Sequence, residues 1–75
     1  MEYKVYVKTN EQGDVMDINS EIFMTEKQKK EWTFIDKGSG DRYAHAQGNY
    51  LDGPLFDDNQ RPRYTLSNGA VTRKA

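Results

Sequence analysis

Residues 3–20 read YKVYVKTNEQGDVMDINS, and the fold turns on how this stretch alternates. Tyr3, Val5 and Val7 point one way while Lys4, Tyr6 and Lys8 point the other, the period of a strand with one buried face. Branched and aromatic side chains suit such a pleated surface. NEQGD interrupts the pattern, and Gly13 can take the positive φ that a tight turn needs. Alternation then resumes with Met16, Ile18, Ser20 and Ile22 on one side. The spacing predicts a β-hairpin with strands over 2–9 and 14–22.

Outward from the hairpin the pattern changes. In TEKQKKEW (25–32), Thr25 followed three residues later by Gln28 matches a capping box, and Glu, Lys and Gln favour helix. The piece is polar all round, which predicts a turn or two of helix in solvent. WTFID (32–36) predicts a short strand, with Trp32 and Phe34 on one face and Thr33 and Ile35 on the other. KGSGD is a loop punctuated by Gly38 and Gly40. In DRYAHAQGNY (41–50), Asp41 fits an N-cap, the alanines tolerate helix, and Gly48 fits just past the helix end. Tyr43, Ala46 and Tyr50 then fall on one face.

In the last third, PLF (54–56) and RYTL (63–66) flank DDNQRP, a turn rich in Asp and Asn. Pro62 cannot donate to a ladder and belongs at a strand start or edge. Ser67-Asn68-Gly69-Ala70 holds Asn-Gly, which supplies the two positive φ angles of a type I′ hairpin turn. The expected architecture is one domain over residues 1–75, α+β and β-rich. It has an N-terminal β-hairpin, short helical segments in the middle and a C-terminal β-meander or hairpin. The expected core is Tyr3, Val5, Val7, Ile18, Ile22, Trp32, Phe34, Tyr43, Tyr50, Phe56, Tyr64, Leu66 and Val71.

A chain of 75 residues with 35% hydrophobic content has a thin core, since a domain this small buries only about 60% of the surface its unfolded form exposes. The aromatic rings carry much of what can be buried. A thin core also favours self-association or docking on a partner. Eleven basic and twelve acidic residues give a net charge of −1. Nucleic-acid binders carry a basic excess to displace counterions, so this balance argues against that class. The only basic run is Lys27-Gln28-Lys29-Lys30. With no cysteine, disulfides, thiol nucleophiles and thiolate metal sites are excluded. MEYKVYVKTN has no apolar signal-peptide core, and no segment approaches the length of a membrane span.

Several residues carry chemical potential. His45 could serve as a base or metal ligand, but a base needs an orienting partner and a metal needs further ligands. A packed or surface imidazole is the plainer expectation. GSGD could cradle a phosphate, yet it lacks the Lys-Ser/Thr of a P-loop; a loop with Asp41 as cap explains the same residues. Asp57, Asp58 and Asn59, with Asp52 nearby, hint at a hard cation, but the alternating ligands and distal Glu of a calcium loop are missing. Turn chemistry accounts for them better. Asp14, Asp17, Asp36 and Asp41 form no paired-carboxylate pattern, and Ser20, Ser39 and Ser67 sit in ordinary strand or turn contexts. Arg61, Arg63 and Arg73 could form a basic face; without aromatics clustered beside it, a solvated face is expected, and such cations also protect a β edge. No catalytic, cofactor-binding or metal-ligating residue is assigned.

The pattern INSEIF, WTFIDxGxGDRYAHAQGNY, GPLFD and RYTLSNGAV resembles a group of small proteins encoded in the tail and baseplate gene module of Firmicutes phages and prophages. The resemblance runs from about Tyr3 to Arg73 and is sharpest over Gly40–Tyr50 and the terminal RYTLSNGAV. TEKQKK resembles a local lengthening relative to that group, whose members can also continue past the last strand. The group has no assigned catalytic or binding residues, so the resemblance implies a setting rather than a mechanism. The implied role is non-enzymatic: a structural or accessory piece of the tail, made in the bacterial cytoplasm and used in the virion tail. Its partners would be other tail proteins or another copy; no membrane is expected, and the charge balance argues against nucleic acid. A small regulator that binds a host protein or nucleic acid is the alternative.

Overall fold

The structure, a computed structural model, describes residues 1–51 and 53–74. Strands β1 (Tyr3–Thr9), β2 (Val15–Ser20) and β3 (Thr33–Gly38) form an antiparallel sheet with order β2-β1-β3. A single helical turn, Glu21–Phe23, and helix α1 (Glu26–Glu31) lie between β2 and β3. Two short helices, α2 (Asp41–Ala44) and α3 (Ala46–Asn49), follow, and β4 (Tyr64–Ser67) pairs with β5 (Ala70–Arg73) in a separate hairpin. The α+β class, the N-terminal hairpin, the central helical pieces and the C-terminal strand pair all match the expectation from sequence.

The first hairpin closes through Asn10. Its side-chain carbonyl accepts from the N–H of Gln12 and of Asp14, both at 3.0 Å, and Gly13 takes φ +83. One detail departs from strict alternation. Val7 faces Ile18 and Lys8 faces Asp17, but Thr9 faces Val15, so Met16 is an extra residue in β2. The bulge turns Val15 inward, where it is fully buried, and leaves Met16 only half-buried. Met16 was expected on the inner side, and the inserted residue is why it is not. A second irregularity in β3 places Phe34 against Tyr6 and Asp36 against Val5, with Ile35 as the extra residue. Asp36 thereby gains the inner face.

Val5, Val7, Val15 and Ile18 are essentially inaccessible, and Ala46 and Tyr64 complete the buried cluster. Each fully buried Val or Ile contributes about 1.5–3 kcal/mol. Tyr43, Tyr50, Leu51, Leu55, Leu66 and Val71 pack around this cluster, so α2, α3 and the β4–β5 hairpin cover the sheet's inner face. Of the expected core, Val5, Val7, Ile18 and Tyr64 are buried, and Tyr3, Trp32, Tyr43, Tyr50, Phe56, Leu66 and Val71 are half-buried. Two expectations fail. Ile22 is 51% exposed because β2 ends at Ser20 and the chain leaves the sheet in a helical turn. Phe34 is 47% exposed because it lies edge-on to Tyr6 on the sheet's uncovered outer face.

The smaller sequence signals resolve cleanly. Thr25 and Gln28 form both bonds of the capping box, and α1 buries no residue. Asn68 and Gly69 take φ +52 and +81, as the β4–β5 turn requires. Upstream of that hairpin, Phe56 and Pro62 meet in a single antiparallel bridge. The hairpin is tied to the first turn where the N–H of Leu66 and the hydroxyl of Thr65 both donate to the Gly13 carbonyl, at 2.9 and 3.1 Å.

Candidate functional site

The stretch around the single histidine is two helical turns broken at His45, whose φ −120 and ψ 52 leave the helical region. The break is what lets residues 41–50 follow the sheet. Ala44 and Ala46, on either side of it, are small enough to be buried there. Asp41 is not the cap expected of it. Gly40 occupies the cap position with no side-chain bond, and Asp41 is the first helical residue. Gly48 lies inside α3 rather than beyond it.

The polar centre of this region is Asp36, which sequence reasoning did not single out. Its Oδ2 accepts from the Tyr50 hydroxyl at 2.9 Å and the Tyr43 hydroxyl at 3.2 Å, and its Oδ1 accepts from the Lys37 N–H at 2.8 Å. The two tyrosine rings meet edge to face with centroids 5.7 Å apart. Arg42 lies over both, 4.4 Å from the Tyr50 centroid and 5.4 Å from that of Tyr43, and donates to the Tyr43 hydroxyl. Burial raises the Asp36 carboxyl, but bonds from Tyr50, Lys37 and Tyr43 and the charge of Arg42 outweigh it and hold the group below the usual carboxylate range. Tyr50 is pushed up to about 12, by burial first and then by its bond to Asp36 and that carboxylate's charge. This is a carboxylate committed to three donors, an arrangement that fastens α2 and α3 to β3.

His45 is exposed and packs against Phe23, with ring centroids 5.7 Å apart and planes tilted by 34°. Together with Asn19, Gln47 and Gly48, these two rings line an open groove of about 360 Å³ at the outer edge of β2. Asp41 is not among the lining residues, so the structure does not bring the two together there. Ile22 and Phe23, 51% and 57% exposed, present apolar surface at this end.

The acidic candidates disperse. Asp57 Oδ1 accepts from the N–H groups of Asn59 and Arg61 at 2.8 and 2.9 Å, which is the expected turn chemistry. Its pKa is lowered by the Arg61 N–H first; burial opposes this, and the Asn59 N–H and the charges of Arg61 and Arg63 lower it further. Asp52 lies outside the described residues. Among the described residues, no group of three or more His, Asp or Glu side chains is arranged to hold a metal ion. Asp14 pairs with Lys74 at 3.2 Å. Ser20 is buried opposite Val5, and its Oγ makes no hydrogen bond among the described residues. Arg61, Arg63 and Arg73 do converge; contrary to expectation, aromatic residues stand nearby, because Arg73 also borders a groove containing Tyr50 and Tyr64. Only the tertiary approach of β5 to residue 50 creates that neighbourhood.

The sheet edges carry a third feature that sequence reasoning missed. The N–H of Ile18 is taken by the Asp17 side chain at 2.8 Å, that of Ser20 by Asn19 at 2.9 Å, and that of Lys37 by Asp36 at 2.8 Å. All three lie on β2 and β3, the outer strands. Donors that a docking strand would need are already engaged by neighbouring side chains, which blunts both edges against strand addition. No helix among the described residues is long and apolar enough to cross a membrane.

Comparison with protein-family models, curated proteins and solved structures finds no match to this chain.

Proposed function

We propose that this chain is a non-enzymatic structural or accessory component of a phage or prophage tail, acting by protein–protein contact. It is made in the bacterial cytoplasm and docks on another tail protein through exposed aromatic and aliphatic side chains. The setting rests on the resemblance of its sequence to small proteins of tail and baseplate gene modules.

The observation that carries the mode of action is the exposure of Ile22, Phe23 and Phe34. A chain with so few large apolar residues leaves three of them about half exposed, where burial against a partner would add about 25 cal/mol per Å² covered. Phe23 sits in a helical turn closed by the Met24 N–H on the Glu21 carbonyl, and Phe34 on a paired strand, so little ordering remains to be done on docking. The engaged N–H groups of β2 and β3 favour contact through side chains over strand addition.

Mass spectrometry of purified, intact particles from a host carrying the gene tests this reading. The chain is expected at a fixed stoichiometry with other tail proteins. Particles that assemble without it, in cells where it is expressed, would overturn the reading.

A further inference from the structure

A groove of about 350 Å³ opens between the 57–63 turn and the end of β5, lined by Asp57, Arg61, Pro62, Arg63, Arg73 and Lys74. Arg73 continues into a second groove bordered by Arg42, Tyr50 and Tyr64. Among the described residues, five cations therefore share one surface, nearly half of the eleven in a chain of net charge −1. Among the described residues one carboxylate, Asp57, lines it, and Asp14 reaches it only through its ion pair with Lys74. Asp57 is occupied by two backbone N–H groups. Arg61 and Arg73 are exposed, and neither makes a side-chain ion pair or hydrogen bond among the described residues.

Among the described residues the groove sets four cations, Arg61, Arg63, Arg73 and Lys74, against the one carboxylate of Asp57, and such an excess attracts an anion. The surroundings narrow its kind. Pro62 has no N–H to offer, so recognition falls to the side-chain forks, which pair with carboxylates or phosphates in a planar, two-bond geometry. A single-stranded nucleic acid would need ring faces on which bases stack. None is open here, since Tyr64 is 4% exposed and Arg42 covers the face of Tyr50. We propose that this groove binds an acidic, Asp- and Glu-rich segment of a protein partner, with Arg61 and Arg73 as the principal contacts. These residues are separate from Ile22, Phe23 and Phe34, so the groove and the aromatic surface stand or fall independently.

The test is fluorescence anisotropy with a labelled Asp/Glu decapeptide, at low salt and at about 0.3 M salt, where charges are screened within a few ångströms. The wild type is expected to bind at low salt and release at high salt. Arg61→Glu/Arg73→Glu is expected to weaken binding at least about tenfold, while Lys27→Glu/Lys30→Glu, which reverses as much charge on α1, changes it less than about twofold. Circular dichroism checks that both variants keep the fold. Failure of the wild type to bind the peptide, or equal losses in the two variants, would overturn the proposal. So would tighter binding of a labelled oligothymidine than of the peptide, or a salt-sensitive self-association abolished by Arg61→Glu/Arg73→Glu in a protein that ignores the peptide.

Discussion

Tyr50 shows how much one side chain does in a thin core. Its ring packs against the buried cluster, its hydroxyl donates to Asp36, and Arg42 lies across its face. The sequence marked the ring, because aromatics at helical spacing bury area. It did not mark Asp36 as the acceptor, since nothing in WTFID distinguishes a carboxylate that faces inward from one that faces water. That orientation follows from the irregularity at Ile35, which no residue type announces. The pairing has a pH signature. Tyr50 holds its proton more tightly in the folded chain, up to about 12, than the ordinary value of 10.0. A group whose folded pKa is raised contributes stability that is fully present below the unfolded value. It is lost as pH rises from about 10 towards about 12. Ultraviolet titration of the phenols is therefore expected to show a late step in the wild type whose amplitude falls by one tyrosine in Tyr50→Phe. A late step that persists unchanged in Tyr50→Phe, or no late step in the wild type, would contradict the pairing.

Elements were legible where a local rule decides them, and less so where tertiary pairing does. The Asn68-Gly69 turn, the Thr25/Gln28 box and the Val5/Val7 alternation depend on neighbours in sequence, and each stands as expected. Ile22 and Phe34 failed as core residues because a strand's end and the choice of covered face depend on what packs on the sheet. The contact between β3 and α2 is of this second kind. The Tyr43 ring lies directly over Gly38, and a Cβ built there would come within 2.5 Å of it. Glycine is thus required at 38 by close approach rather than by backbone angle. Gly38→Ala is expected to displace Tyr43 and cost about 1–3 kcal/mol in urea unfolding. An unchanged midpoint would mean that α2 does not rest on β3 as described.

Across the whole molecule, apolar area is divided between a small interior and a surface that remains open. The sheet's inner face is closed by α2, α3 and the β4–β5 hairpin, and its outer face leaves Phe34 beside Tyr6 while Ile22 and Phe23 stand off the end of β2. Of the candidate docking residues, Ile22 and Phe34 read from the sequence as core, and Phe23 is not singled out there; only the structure separates rings that hold the fold from rings that are left over. Removing the left-over rings should spare the fold and abolish contact. If the proposed tail setting holds, the products of the neighbouring genes are the partners to try, and sedimentation velocity of the protein mixed with them, wild type against Phe23→Ser/Phe34→Ser, tests this most directly. The account predicts that the wild type joins a heavier species with one of those proteins, while the folded variant sediments alone at its monomer mass of 8.7 kDa. Co-sedimentation of the variant as complete as that of the wild type, or a wild type that stays apart from every neighbour, would contradict it.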